Sequence, residues 1–131
     1  MKDKFLAAII QTNTANNIKQ GFEELQGLVR AAANDGAKLI VTPEGSNLLE
    51  RDKEKFALAC PLENDPETIK QYSDLARELK IVLVIGSALF RRENDRAANR
   101  SLVFNEDGAL IAQYDKIHLF DVNIGVGQES K

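Results

Sequence analysis

Three short apolar runs, separated by two stretches of helical periodicity, constrain the fold of this chain most. The runs are 5–10, 37–42 and 81–90, and each is apolar or β-branched at four or more consecutive positions. Runs of this kind, without polar alternation, are typical of strands that are covered on both faces. The alternation of strand and helix therefore predicts a βαβαβ unit, with parallel strands and right-handed crossovers.

The two helices have recognisable ends. Apolar residues at three- and four-residue steps predict the first helix over 18–32, and Gly36 suits the left-handed position that follows a helix. The second helix is predicted to start at Asp65 as N-cap, with Pro66 in the first helical position. Two helices cannot cover both faces of such strands, so we expect something else to cover the remainder.

After the third run the pattern changes to that of a β-hairpin. The charged stretch 91–100 predicts a solvated connector, and Glu93 and Asp95 interrupt it, which argues against a nucleic-acid-binding patch. Strands are then predicted at 101–104 and 109–114, with a turn at 105–108 between them. The sequence thus predicts one α/β domain, βαβαβ followed by a β-hairpin.

The composition excludes several classes of function. Seventeen basic and twenty acidic residues give a net charge of −3, which argues against binding to nucleic acid. No apolar run approaches the ~18 residues of a membrane span, and the N-terminal run is too short for a signal peptide. A single cysteine allows no internal disulfide. We therefore expect a cytoplasmic protein without a membrane partner.

Glu44 follows the second strand directly. Pro43 cannot donate to a strand ladder, so the strand ends there, and Glu44 should project from the edge where open α/β sheets place ligands and catalytic groups. The alternative is a solvated glutamate in a loop. A second stretch, 114–121, offers the cation Lys116 in a similar setting.

Several segments together resemble the nitrilase superfamily of carbon–nitrogen hydrolases over essentially all 131 residues. They are the first strand up to Gln11, 31–37, 39–44, Gly86-Ser87, 99–101, Asp107-Gly108 and 114–121. The resemblance implies an αββα sandwich, of which this chain is the N-terminal part. Residues 1–131 would then be a partial domain whose missing C-terminal half covers the exposed sheet. The likeness is strongest to amidases that act on small ω-amides and deaminated glutathione.

The resemblance also implies site residues. Glu44 would be the general base and acid, Lys116 would stabilise the oxyanion, and Glu129 would be the assisting glutamate. We interpret His118 as orienting the lysine loop, with substrate contact as the alternative. The family's cysteine nucleophile lies beyond the assisting glutamate; Cys60 does not match it and is interpreted as a buried structural residue. The chain alone is therefore expected to be inactive. No metal or cofactor is implied.

Elementary chemistry fits these roles, although other functions stay open. Burial at a strand end should raise the pKa of Glu44, and a nearby lysine should lower it again. The expected partners are a small amide substrate and either a second copy of the chain or the missing C-terminal half. One alternative is a metal-dependent phosphodiesterase of αββα architecture, and another is a non-catalytic interaction module that pairs its bare sheet with another copy.

Overall fold

The computed structural model describes residues 3–94 and 96–118, which form one five-stranded sheet and three helices. The elements in chain order are β1 (Leu6–Ile9), α1 (Ile18–Asn34), β2 (Ala37–Val41), α2 (Lys53–Ala59), α3 (Pro66–Leu79), β3 (Val82–Arg91), β4 (Ala97–Phe104) and β5 (Leu110–Asp115). The strands lie side by side in the same order. β1, β2 and β3 run parallel, whereas β4 and β5 are antiparallel to their neighbours. The predicted βαβαβ unit followed by a hairpin is confirmed.

Local signals explain where the two long helices begin. The side chain of Asn17 accepts the backbone N–H of Gln20 at 2.9 Å and caps α1. Asp65 accepts the N–H of Thr68 at 2.9 Å, and Pro66 occupies the first turn of α3, as predicted. These caps satisfy donors that a helix start otherwise leaves unpaired.

None of the helices in residues 3–94 and 96–118 has the length and apolar character needed to cross a membrane.

Helices α1 and α3 lie on the same face of the sheet, which we call the covered face. The strand order advances in one direction, so two right-handed crossovers place both helices on one side. The core lies between this face and the helices, and its sheet residues are fully buried: Ile40, Leu83, Ile85, Leu102 and Phe104. The ring of Tyr72 on α3 links the two layers, with its centroid 6.1 Å from that of Phe104.

The opposite face of the sheet, the outer face, carries a row of apolar residues that runs across all five strands. Register pairs Ile9 with Val41, Val41 with Val84, Val84 with Val103 and Val103 with Ala112. The three valines are only half-buried, and Ile9 is 86% exposed. Within the described residues the helices therefore cover one face of the sheet, and the expectation that something else covers the second apolar face stays a prediction.

The hairpin between β3 and β4 is tighter than the sequence suggests. Strand β3 continues to Arg91 and β4 begins at Ala97, so the predicted connector 91–100 shrinks to a loop over 92–96. Arg100, expected in the solvated connector, is buried with 7% exposure. Charge patterning could not show this, because the carboxylates that pair with Arg100 come from distant parts of the chain.

Candidate active site

The segment that carries Glu44 is the β2 loop, residues 42–47, which is hydrogen-bonded along its length to β3. The N–H of Thr42 donates to the carbonyl of Val84 at 2.9 Å, and the N–H of Ser87 donates to that of Pro43 at 2.8 Å. The N–H of Ser46 donates to the carbonyl of Ser87 at 2.8 Å. The loop thus continues the pairing of β2 with β3 beyond the end of the strand.

Side chains strengthen this attachment of the β2 loop. Asn47 accepts the N–H of Leu89 at 2.7 Å and donates to its carbonyl at 2.9 Å, so one amide replaces a strand partner. The hydroxyl of Thr42 accepts the N–H of Gly86 at 3.1 Å. The β2 backbone approaches so closely here that a Cβ on Gly86 would lie 2.8 Å from the Thr42 carbonyl oxygen. The backbone at Glu44 is therefore fixed although its side chain is 60% exposed.

Lys116 and Asn99 meet Glu44 at the end of β5. The ammonium Nζ of Lys116 lies 2.8 Å from Oε1 of Glu44, and the side-chain amide of Asn99 donates to the same oxygen at 2.7 Å. The backbone N–H of Lys116 donates to the carbonyl of Asn99 at 2.9 Å. The hydroxyl of Ser87 contacts Oδ1 of Asn99, which orients the amide toward the carboxylate. Two residues 72 positions apart in sequence thus form one carboxylate–ammonium pair.

The pair determines the protonation state of the carboxylate. The Lys116 hydrogen bond, followed by that of Asn99, holds the pKa of Glu44 below its ordinary value. Burial acts in the opposite direction but is outweighed, since most of the side chain is accessible to water. The expected rise in pKa from desolvation is therefore not what dominates in this structure. At neutral pH Glu44 is a carboxylate that can accept a proton.

The hydrogen-bond pattern leaves one oxygen of that carboxylate for chemistry. Both donors use Oε1, and within the described chain no donor binds Oε2. A carboxylate held on one oxygen and open on the other can take a proton from a reacting group without losing its orientation. The neighbouring ammonium can stabilise negative charge that develops on a carbonyl oxygen close by.

The other predicted residues divide into three cases. Glu129 lies outside the described residues, and its role stays a prediction. His118 is exposed, and its role also stays a prediction. Cys60 is 4% exposed, and burial raises the pKa of its thiol to about 11. A protonated, buried thiol is a poor nucleophile, which supports the structural interpretation of Cys60.

Sequence reasoning assigned no role to Asn99 or Ser87, although both stand in segments that match the family. Strand pairing places Asn99 opposite Leu89, and this register brings the asparagine to the site. The register can be worked out only if the loop between β3 and β4 is known to be as short as 92–96.

In the part of the chain that the structure describes, no group of three His, Cys, Asp or Glu side chains is placed to hold a metal ion.

Comparison with known proteins gives the family. A family model described as carbon-nitrogen hydrolase matches residues 6–130. A deaminated glutathione amidase from Mus musculus is 35% identical over an alignment of 124 residues that covers 91% of this chain and 38% of the relative. An omega-amidase from Pongo abelii is 31% identical over an alignment of 122 residues that covers 92% of this chain and 42% of the relative. The chain spans less than half of the length of these relatives.

Solved structures agree with the sequence relatives. The crystal structure of the Caenorhabditis elegans NitFhit protein matches with a TM-score of 0.76 and 26% identity, over 90% of this chain and 29% of that one. The predicted fold, the N-terminal part of a nitrilase-like αββα sandwich, is thereby confirmed. Because the family model spans nearly the whole sequence and the fold agrees, this chain belongs to the carbon–nitrogen hydrolase family of the nitrilase superfamily.

Proposed function

We propose that this chain carries the proton-transfer and oxyanion-stabilising part of an amidase-type site that hydrolyses non-peptide C–N bonds of small amides. The observation that supports it best is the contact of Lys116 Nζ with Glu44 Oε1 at 2.8 Å, at the end of β5. Two of the relatives are a deaminated glutathione amidase and an omega-amidase, and on that basis we propose small ω-amides as the substrate class.

In this proposal each residue has one task. Oε2 of Glu44 takes the proton of the nucleophilic thiol and returns it to the leaving amine. Lys116 stabilises the oxyanion of the tetrahedral intermediate, a contribution worth about 3–4 kcal/mol for one such donor. Glu129 assists the proton transfer, and His118 orients the lysine segment. The cysteine nucleophile would come from a C-terminal half of the enzyme; the matched region covers only 38% and 42% of the two relatives.

A chimera tests the assignment directly. This chain would replace the matching 124 residues of the Mus musculus relative, and amide hydrolysis would be measured. We expect Lys116→Met to reduce kcat by roughly 100-fold or more, and Glu44→Gln to abolish turnover. Lys70→Met, at an exposed lysine on α3, is the matched control and should leave kcat unchanged. A correctly folded Lys116→Met chimera with full activity would contradict the proposal.

The isolated chain provides a second test. It lacks a matching nucleophile, so we expect the pure protein to show no amide turnover. Turnover that survives Cys60→Ala and disappears in Glu44→Gln would show that the chain is a complete catalyst, contrary to this expectation.

We further propose that residues 1–131 are a partial domain whose outer face is covered by the C-terminal half or, in its absence, by a second copy. The row from Ile9 to Ala112 supports this, because an apolar face of this width is unfavourable in water. Size-exclusion chromatography with a dye for exposed apolar surface tests it. A monomer that binds no dye would contradict the proposal that the C-terminal half or a second copy covers this face.

We also propose that the protein is cytoplasmic. Its single cysteine is a buried free thiol, so the protein needs no oxidising compartment for a disulfide. Cell fractionation tests this location.

No observation on the described residues favours the metal-dependent phosphodiesterase. A chimera whose amide hydrolysis survives a chelator would count against that alternative.

A further inference from the structure

A cluster of charged side chains lies behind the active site, on the covered face. Its centre is Arg100, whose Nε and Nη2 donate to Oδ1 and Oδ2 of Asp115 at 2.5 and 2.9 Å. Nη2 also lies 2.5 Å from Oε1 of Glu63. The guanidinium stands over the ring of Phe90, 5.8 Å from its centroid, and the Arg100 side chain is only 8% exposed. The arginine is buried and the Asp115 side chain is 32% exposed. A two-pronged contact to a buried guanidinium holds its geometry better than a fully exposed ion pair.

The cluster is anchored to the rest of the protein. The backbone N–H of Glu63 donates to the carbonyl of Arg91 at 2.9 Å, so Glu63 is fixed against the end of β3. Arg92 supplies a second cation to Asp115, with Nη2 and Oδ2 2.5 Å apart. Asp115 is therefore held from β4 and from the β3–β4 loop, whereas β5 has only β4 as a neighbour in the described sheet.

This cluster is joined to the active site by two pairs of consecutive residues. Asn99 and Arg100 are neighbours on β4, and successive side chains of a strand point to opposite faces. Asn99 therefore contacts Glu44 while Arg100 contacts Asp115 on the other side. On the next strand, Asp115 precedes Lys116 directly.

We propose that Arg100 and Asp115 are positioning residues: their ion pair on the covered face fixes the end of β5, and thereby keeps the Lys116 ammonium against Glu44. The importance of this positioning for catalysis rests on the proposed function. The claim that the ion pair keeps Lys116 in contact with Glu44 does not depend on it. Without the Asp115 carboxylate, the end of β5 would lose its side-chain anchors to Arg100 and Arg92. Lys116 would then be tied to β4 only by its backbone bond to the Asn99 carbonyl.

The test uses the chain as it is, with Glu44 as the reporter. The pKa of the Glu44 carboxyl would be measured by carbon-detected NMR in the wild type, in Lys116→Met, in Asp115→Asn and in the double variant. Lys116→Met should raise this pKa, because it removes the lysine hydrogen bond. Asp115→Asn should raise it as well, by no more than Lys116→Met does, because it releases the ammonium without removing it. In the Lys116→Met background, Asp115→Asn should produce no further rise.

The sign of the change separates positioning from other effects. Removing the negative charge of Asp115 would by itself lower the pKa of a neighbouring carboxyl, so a rise requires that Lys116 has moved. A purely structural role for the ion pair would reduce stability without moving the Glu44 pKa. Arg30→Gln, which breaks the exposed Arg30–Glu78 pair between α1 and α3, is the matched control and should leave that pKa unchanged.

Each outcome decides between specific claims. If Lys116→Met raises the Glu44 pKa and folded Asp115→Asn does not, this inference is wrong while the proposed function stands. If Lys116→Met leaves the pKa unchanged, the Glu44–Lys116 contact itself is contradicted, and the proposed function fails with it. Should Asp115→Asn not fold, Arg100→Lys replaces it in the same titration. That variant keeps the charge but loses the two-pronged contact, and an unchanged Glu44 pKa there would overturn the inference.

Discussion

The covered and outer faces of the sheet are made from similar apolar residues but differ in their surroundings. On the covered face Ile40 is fully buried against α1 and α3, whereas Ile9 on the outer face is 86% exposed. Asn99 and Lys116, which contact Glu44 in the candidate active site, belong to the outer side, while Arg100 lies behind them on the covered side. The comparison indicates that the covered face provides most of the stability of the chain, whereas the outer face carries the polar groups of the candidate site.

The largest expected contrast comes from one isoleucine on each face. Ile40→Ala removes a fully buried side chain and should lower the free energy of unfolding by about 2–5 kcal/mol. Ile9→Ala removes the same atoms from an exposed position and should change it by no more than about 0.5 kcal/mol. Urea unfolding of the isolated chain measures both. Similar losses in the two variants would show that the outer face is covered in solution.

Asp115 tests how much a charged pair on the covered face contributes to the stability of the chain. Asp115→Asn should cost about 1.5–3 kcal/mol at neutral pH, because it removes a hydrogen-bonded charge from a buried arginine. Arg100 and then Arg92 lower the pKa of Asp115 in the folded state. The stabilisation is thus present above the ordinary pKa of an aspartate and is lost as the pH falls through the lowered folded value. Unfolding measured from neutral to acid pH should show the two proteins converging; a constant difference would contradict this.

Gly86→Ala probes the close approach between β2 and β3 beneath the β2 loop. The added methyl group would lie 2.8 Å from the Thr42 carbonyl oxygen, so we expect a loss of about 1–3 kcal/mol. Gly27→Ala on α1 is the matched control: its new methyl group meets nothing within 4 Å, and it should stabilise the chain by about 0.5–1 kcal/mol. Thermal unfolding measures both. If Gly86→Ala left the stability unchanged, β2 and β3 would be able to move apart at this point without a loss of stability.

The smallest effect on stability is expected at the candidate active site. Glu44→Gln should change the stability by no more than about 0.5 kcal/mol, because the side chain is mostly exposed and its pair with Lys116 is accessible to water. Since the pKa of Glu44 is lowered in the folded state, even this contribution should vanish in acid. The measurement is urea unfolding at neutral and acid pH. A loss as large as that of Asp115→Asn would mean that Glu44 is a structural residue.

Much of the fold was predictable because its signals are local. The apolar runs, the start of α3 at Asp65-Pro66 and the turn at 105–108 depend only on residues close together in the chain. The strand ending at Glu44 and the segment around Lys116 also matched the family from sequence. The connector at 91–100 was predicted wrongly because a charged run looks the same whether it is solvated or paired with distant carboxylates.

The sequence by itself determined the strand and helix order, the carboxylate at the end of β2, the lysine after β5 and the family. Only the tertiary structure decided which face of the sheet is covered, that Asn99 shares Oε1 of Glu44 with Lys116, and that Arg100 is buried. Periodicity and caps are set by neighbours along the chain. Register and burial are set by contacts between strands and loops far apart in sequence, and these exist only after the sheet has formed.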